Sequence, residues 1–203
     1  MLMPPVISRP DRMEPDSEPL LLVAGTGFSG WHPLNDTIMG GSSQGSCRVD
    51  ANGLHFEGMV VEAGGGFVSM RSPLFSPPLD LSRFGGLNIV LTGEGRIFKL
   101  AIACADGLGG LTEWIPGGLR WVSAVATNPE GVTRVDVRFD QLKPTLRAKP
   151  LQSLPFRGPL QFQPARISRL QLLHSRFGDD GGDNPGFRAG PISLTIHEIR
   201  AVP

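Results

Sequence analysis

The chain has 203 residues, 40% of them hydrophobic, and 19 basic side chains balance 19 acidic ones. That length suits one domain with a sizeable core, and the charge balance excludes a globally basic nucleic-acid binder. The 27 glycines and 19 prolines punctuate many short elements, and no window approaches the roughly 20 apolar residues of a membrane helix.

Residues 1–19 carry five prolines (Pro4, Pro5, Pro10, Pro15 and Pro19) among mixed charges, which predicts a flexible N-terminal arm. They contain no apolar segment of the kind a signal peptide needs. A single domain is expected over 20–203, in a cytoplasmic protein that is at most peripheral to a membrane. Strand-like runs then follow one another. Residues 53–62 place Leu54, Phe56 and Met59 on an inner side, and residues 66–73 alternate Phe67, Ser69 and Arg71 against Val68 and Met70. Residues 86–93 turn Leu87, Ile89 and Leu91 one way. With "RIFKLAIAC" following only two residues later, 86–104 reads as a hairpin about a Gly-x-Gly turn. Residues 119–127 and 132–139 flank the turn sequence "NPEG". Residues 166–173 and 190–201 close the chain, the latter with Ile192, Leu194 and Ile196 on one face. Eight to ten strands and no amphipathic helix predict an all-β sandwich or jelly roll. Residues 139–164 hold five prolines without alternation and read as a long functional loop.

Candidate chemistry is sparse. "WHPLNDTIMGGSSQG" (31–45) lacks the Lys and the following helix of a phosphate loop. Ser42 and Ser43 stand in no recognisable relation to the four histidines (His32, His55, His174 and His197) that a serine nucleophile would need as base. The stretch reads as a folding corner. Trp31 packs, Asn35 and Asp36 hold turns, and Gly40 and Gly41 let backbones approach. Arg71 is either a structural pairing arginine, with Asp36 as its expected partner, or a ligand-binding one. Asp179, Asp180, Asp183 and Asn184 offer oxygen ligands but miss the EF-hand pattern, so a solvated turn is expected. Cys47 and Cys104 form no ligand pair and read as thiols of a reducing compartment. Trp114 and Trp121 read as core or rim residues, or as the lining of a sugar-stacking groove. Between Gln141 and Gly178 seven basic residues (Lys143, Arg147, Lys149, Arg157, Arg166, Arg169 and Arg176) occur without any Asp or Glu. A single-sign patch of that kind attracts an acidic protein surface or anionic headgroups.

Several of these segments recur as one pattern. Trp31 precedes Asn35, Asp36, Met39, Gly40, Gly41 and Ser43; then come Phe56 and Gly58; Gly65, Gly66, Phe67, Ser69 and Arg71; Gly85, Gly86 and Leu87; and Gly93, Glu94, Gly95 and Arg96. This order resembles the CIA30 family, named after complex I intermediate-associated protein 30, over roughly residues 28–201. The resemblance implies a galactose-binding-like jelly-roll β-sandwich. It also implies a role in assembling membrane-bound electron-transfer complexes, notably complex I, with related domains linked to photosystem biogenesis. It supplies no catalytic residues, cofactor or metal. Glu94 stands where aspartate is usual and Phe98 where tyrosine is usual. The expected function is therefore that of a non-catalytic, chaperone-like assembly factor in a bacterial cytoplasm, peripheral to a thylakoid or plasma membrane. It would bind protein partners through Lys143, Arg147, Lys149, Arg157, Arg166 and Arg169. A carbohydrate-binding module is the alternative, and an enzyme ranks last.

Overall fold

The computed structural model describes residues 18–105, 118–146, 149–150 and 161–203. Thirteen strands are found there: β1 (Leu20–Ala24), β2 (His32–Pro33), β3 (Gln44–Asp50), β4 (Gly53–Val60), β5 (Phe67–Arg71), β6 (Gly86–Thr92), β7 (Ile97–Cys104), β8 (Arg120–Ala126), β9 (Thr133–Arg138), β10 (Lys143–Leu146), β11 (Lys149–Pro150), β12 (Ile167–Ser175) and β13 (Gly190–Val202). The helical segments among the described residues are short 3-10 turns. The strands form two antiparallel sheets. One runs β3-β4-β13-β6-β9 with β1 added to β13, and the other runs β11-β10-β8-β7-β12-β5-β2. Residues 1–17 of the expected arm lie outside the described residues.

The sheets close on one apolar core. Leu54 and Phe56 of β4, Leu87, Ile89 and Leu91 of β6, and Ile192, Leu194 and Ile196 of β13 face inward from the six-stranded sheet. Val68, Met70, Phe98, Leu100, Ile102, Leu170 and Leu172 meet them from the seven-stranded sheet. Each fully buried side chain of this size contributes roughly 1.5–3 kcal/mol. Trp31 packs edge-on against Phe28 at 5.4 Å within this core, as its place in the sequence suggests. In β13 the register shifts between Ile196 and Glu198, and the inward phase resumes at Ile199 and Ala201. The bulge thus lets one strand of 13 residues stay in a twisted sheet.

Two local expectations are overturned. Residues 86–104 are not a hairpin: β6 pairs with β13 and β9, whereas β7 pairs with β8 and β12 in the other sheet. Glu94 and Gly95, at φ 59° and 71°, turn the chain across the sandwich. "NPEG" does the same between β8 and β9. Both strands flanking each turn carry a core face, and packing two such faces against each other buries more than pairing them side by side. Met59 is 45% exposed, because Gly58 occupies the inward position between Phe56 and Val60. There a Cβ would strike the Gln44 carbonyl oxygen.

Candidate functional site

Two of the signature segments meet at Asp36. Its carboxylate is fully buried and accepts four hydrogen bonds: from Ser43 N–H at 2.8 Å, Ser43 Oγ–H at 2.7 Å, Gly66 N–H at 2.9 Å and Phe67 N–H at 3.3 Å. A Cβ on Gly41 or Gly65 would collide with this side chain. Gly40 ends the 3-10 turn Asp36–Met39 with φ 85°. The expected Asp36–Arg71 ion pair is not formed, since backbone N–H groups take the carboxylate. Arg71 instead donates through Nε to His32 Nε2 at 2.8 Å. Asn35 donates to the Gly45 carbonyl. Ser43 is spent in the same knot, because its hydroxyl also accepts the Val61 N–H at 2.9 Å. The corner is a clasp between β3, β4 and β5, not a reaction centre. The side chain of Met39 lies outside the described residues.

The outer face of the seven-stranded sheet gathers the remaining candidates. One row crosses six strands: His32, Arg71, Gln171, Ala101, Val122 and Lys143 are successive cross-strand partners. The next row runs Ser69, Leu173, Lys99, Ala124. Gln171 donates to Ser69 Oγ at 2.9 Å, and Ser69 donates to the Leu34 carbonyl at 2.6 Å. Arg169, beside Ala103, is 9% exposed and donates to the Ser72 carbonyl at 3.0 Å. It is therefore a buried structural arginine rather than the surface contact expected of it. Arg166 is exposed in the turn just before β12. Lys149 falls in edge strand β11, with its side chain outside the described residues, as are Arg147, Arg157 and Trp114.

The acid-free stretch of sequence is not acid-free in space. Lys143 pairs with Asp179 at 2.9 Å, and Arg176 pairs with Glu62 at 3.4 Å. Three of the oxygen-bearing side chains of the turn are engaged separately. Asp179 holds Lys143, Asp180 accepts the Gly182 N–H at 2.9 Å, and Asn184 donates to the Ile97 and Ser175 carbonyls. Among the described residues no three His, Cys, Asp or Glu groups come together as a metal site.

Lys99 is only 5% exposed, and its Nζ donates to the Gly178 carbonyl at 3.2 Å. Burial pushes its pKa from 10.5 down to about 8, against the pull of Asp179 and Asp180. Between pH 8 and 10.5 the unfolded chain binds the proton that the folded one has released, so stability rises with pH across that window. Lys99→Met is expected to remove this rise and to stabilise the protein at pH 7 by about 1–2 kcal/mol in urea denaturation, because an apolar side chain has no charge to desolvate.

On the six-stranded sheet, His55 bridges Asp50 Oδ1 at 2.9 Å and Thr195 Oγ1 at 3.2 Å. This series went unread in the sequence because 140 residues separate His55 from Thr195. The hydroxyl lies on the surface of strand β13, flanked by β4 and β6, and not at a turn or helix N-terminus that would supply oxyanion donors. Neither Cys47 nor Cys104 is in a disulfide; Cys104 Sγ–H donates to the Gln163 carbonyl at 3.5 Å, and burial raises the Cys47 thiol to about 11, which suppresses the reactive thiolate.

Solved structures with this architecture include two family 11 carbohydrate-binding modules from Clostridium thermocellum. One, in complex with a β-1,3-1,4-mixed-linked tetrasaccharide, is 14% identical with a TM-score of 0.59 over 91% of this chain and 95% of that one. The other, from the cellulosomal cellulase Lic26A-Cel5E, is 13% identical with a TM-score of 0.61 over 91% and 94%. The agarase AgWH50C matches at 10% identity and a TM-score of 0.52, over 92% of this chain and 25% of its own. At such identities the likeness is one of fold, the galactose-binding-like jelly-roll β-sandwich. No curated protein sequence is significantly similar. The family model described as complex I intermediate-associated protein 30 matches residues 22–196, and the chain belongs to the CIA30 family.

Proposed function

We propose that the protein is a non-catalytic, chaperone-like assembly factor that binds protein subunits of a membrane-associated electron-transfer or photosynthetic complex. Membership of the CIA30 family supports the complex I side of this reading. The observation that carries the binding mode is the cross-strand row from His32 to Lys143 on the outer face of the sheet, with a further exposed arginine, Arg166, in the turn before β12. The middle members of the row, Ala101 and Val122, are buried, so the partner meets it at its β10 end, where Lys143 is exposed, while His32 and the nearby Ser69 at the other end hold neighbouring groups in place. Lys143 and Arg166, together with Arg147, Lys149 and Arg157 of the same acid-free stretch of sequence, are the contacts we assign to the partner. We place the protein in the cytoplasm, peripheral to a thylakoid or plasma membrane. Among the described residues no helix is long and apolar enough to cross a membrane.

The test is affinity purification of the tagged protein from its host. The variant Arg147→Glu, Lys149→Glu, Arg157→Glu is expected to lose the co-purifying subunits of the complex at least tenfold, since reversed charge repels an acidic surface. Unchanged recovery would overturn the assignment. The carbohydrate-binding alternative needs exposed ring faces. Trp31 and Trp121 are both in the core, and Phe177 is the large aromatic left exposed among the described residues. A glycan array is expected to stay silent, and a strong signal would favour the alternative.

A further inference from the structure

We propose that the acidic turn at residues 178–183 is an internal placeholder, occupying on the edge of β8 the position that an extended acidic segment of a protein partner takes. The inference rests on the reading that the outer face of the seven-stranded sheet binds protein. Strand β10 pairs with β8 only at Arg120, Trp121 and Val122. Past Val122, no strand lies beside that edge of β8 among the described residues. An open edge of this kind invites strand addition, and proteins commonly cover it.

Here the cover is acidic. The Ala124 N–H, two residues beyond the last β10 partner, donates to Asp179 Oδ2 at 3.2 Å. Lys143 Nζ donates to Asp179 Oδ1 at 2.9 Å. Lys99, the cross-strand partner of Ala124, donates to the Gly178 carbonyl at 3.2 Å. One carboxylate and one carbonyl thus satisfy an edge amide and two ammonium groups. These are the acceptors that a strand bearing an acidic residue would bring, and the two lysines select acidic over basic segments. The turn is closed on itself. Gly178 N–H donates to the Gly182 carbonyl at 2.7 Å, and Phe177 bridges to Asp183, so it can lift as one unit. The ion pair that fastens it has Lys143 49% exposed, a setting in which solvent screening makes exchange inexpensive.

The probe is a fluorescein-labelled octapeptide of alternating Glu and Val, read by fluorescence anisotropy at low salt, with a Lys-Val octapeptide as control. Asp179→Asn is expected to bind the acidic probe about tenfold more tightly than the unmodified protein, the worth of roughly one charge-assisted hydrogen bond. Adding Lys143→Glu should abolish that gain. Amide exchange at Ala124 should speed up in Asp179→Asn while the rest of β8 stays protected. Should that variant unfold, the exchanged pair Lys143→Asp with Asp179→Lys keeps a salt bridge and is expected to prefer the Lys-Val peptide. An Asp179→Asn protein that binds no more tightly, or an exchanged pair that still prefers the acidic probe, overturns the proposal. Tightened peptide binding without any co-purifying complex would sink the assembly role while leaving the placeholder standing. A co-purifying complex with no effect of Asp179→Asn would do the reverse.

Discussion

Asp36→Ala is expected to cost about 4 kcal/mol or more of folding stability, enough to leave a marginal domain largely unfolded at 37 °C. The side chain is 0% exposed, and its removal strands the N–H groups of Ser43, Gly66 and Phe67 in a site that water does not reach. Each abandoned buried donor costs roughly 1–3 kcal/mol, and the lost carboxylate also frees the Ser43 hydroxyl. Asp36→Asn should fall between, because its one carbonyl oxygen can serve part of the set while its NH₂ faces donors. Chemical denaturation of the three proteins measures this, and a loss below about 1 kcal/mol for the alanine variant would show that the clasp does not hold the corner. The same geometry accounts for the glycines around it. Gly65 lies so close that a Cβ there would sit 2.7 Å from the Asp36 Cβ, so the acid and its glycines form one packing unit.

How far the sequence could be read follows from which partners carry a sequence signal. Alternation in residues 86–92 and 190–196 announces the inward faces of β6 and β13, because Leu and Ile repeat there with a period of two. Gly58 hid the same alternation in β4, since an inward glycine looks like a gap, and Met59 was read inward for that reason. The turns at 93–96 and 127–132 were recognisable as turns, but Gly and Pro chemistry does not tell a hairpin from a crossing between sheets. Asp36 stands out in the sequence as a turn residue, but its carboxylate reaches amides 7 to 31 residues away, and Arg71 looks like its partner because charges are visible in sequence and backbone amides are not. Lys143 and Asp179 are 36 residues apart, so the edge they cap could be found only in three dimensions.

Acid is expected to weaken the fold through His174, and the size of that effect follows from its surroundings. The imidazole is 0% exposed, stacked on Phe187 at 5.4 Å and tilted against Phe98 at 5.4 Å. Its Nδ1–H donates to the Ile97 carbonyl at 3.0 Å, which leaves Nε2 as acceptor for Arg96 at 3.1 Å and for the Arg188 N–H at 3.3 Å. Only the neutral ring fits that pattern. Burial first, then the Arg96 and Arg188 charges, pull its pKa from 6.5 to about 4. The unfolded chain therefore takes up a proton that the folded one refuses between pH 6.5 and 4, so stability is full above 6.5, falls through this window, and levels off below it. The loss is on the order of 3 kcal/mol at about 1.4 kcal/mol per pH unit. The signature arginine shares in it. Arg96 is 4% exposed, its guanidinium donates to the Arg188 and Pro191 carbonyls, and a charged His174 would replace an acceptor with a second cation. Urea denaturation at pH 7, 5.5 and 4 of the unmodified protein and of His174→Gln, which keeps an amide donor and acceptor but cannot titrate, isolates the contribution. The two stabilities should converge as the pH falls, and a difference that stays constant from pH 7 to 4 would mean that His174 is already charged, or free to become so, inside the folded protein.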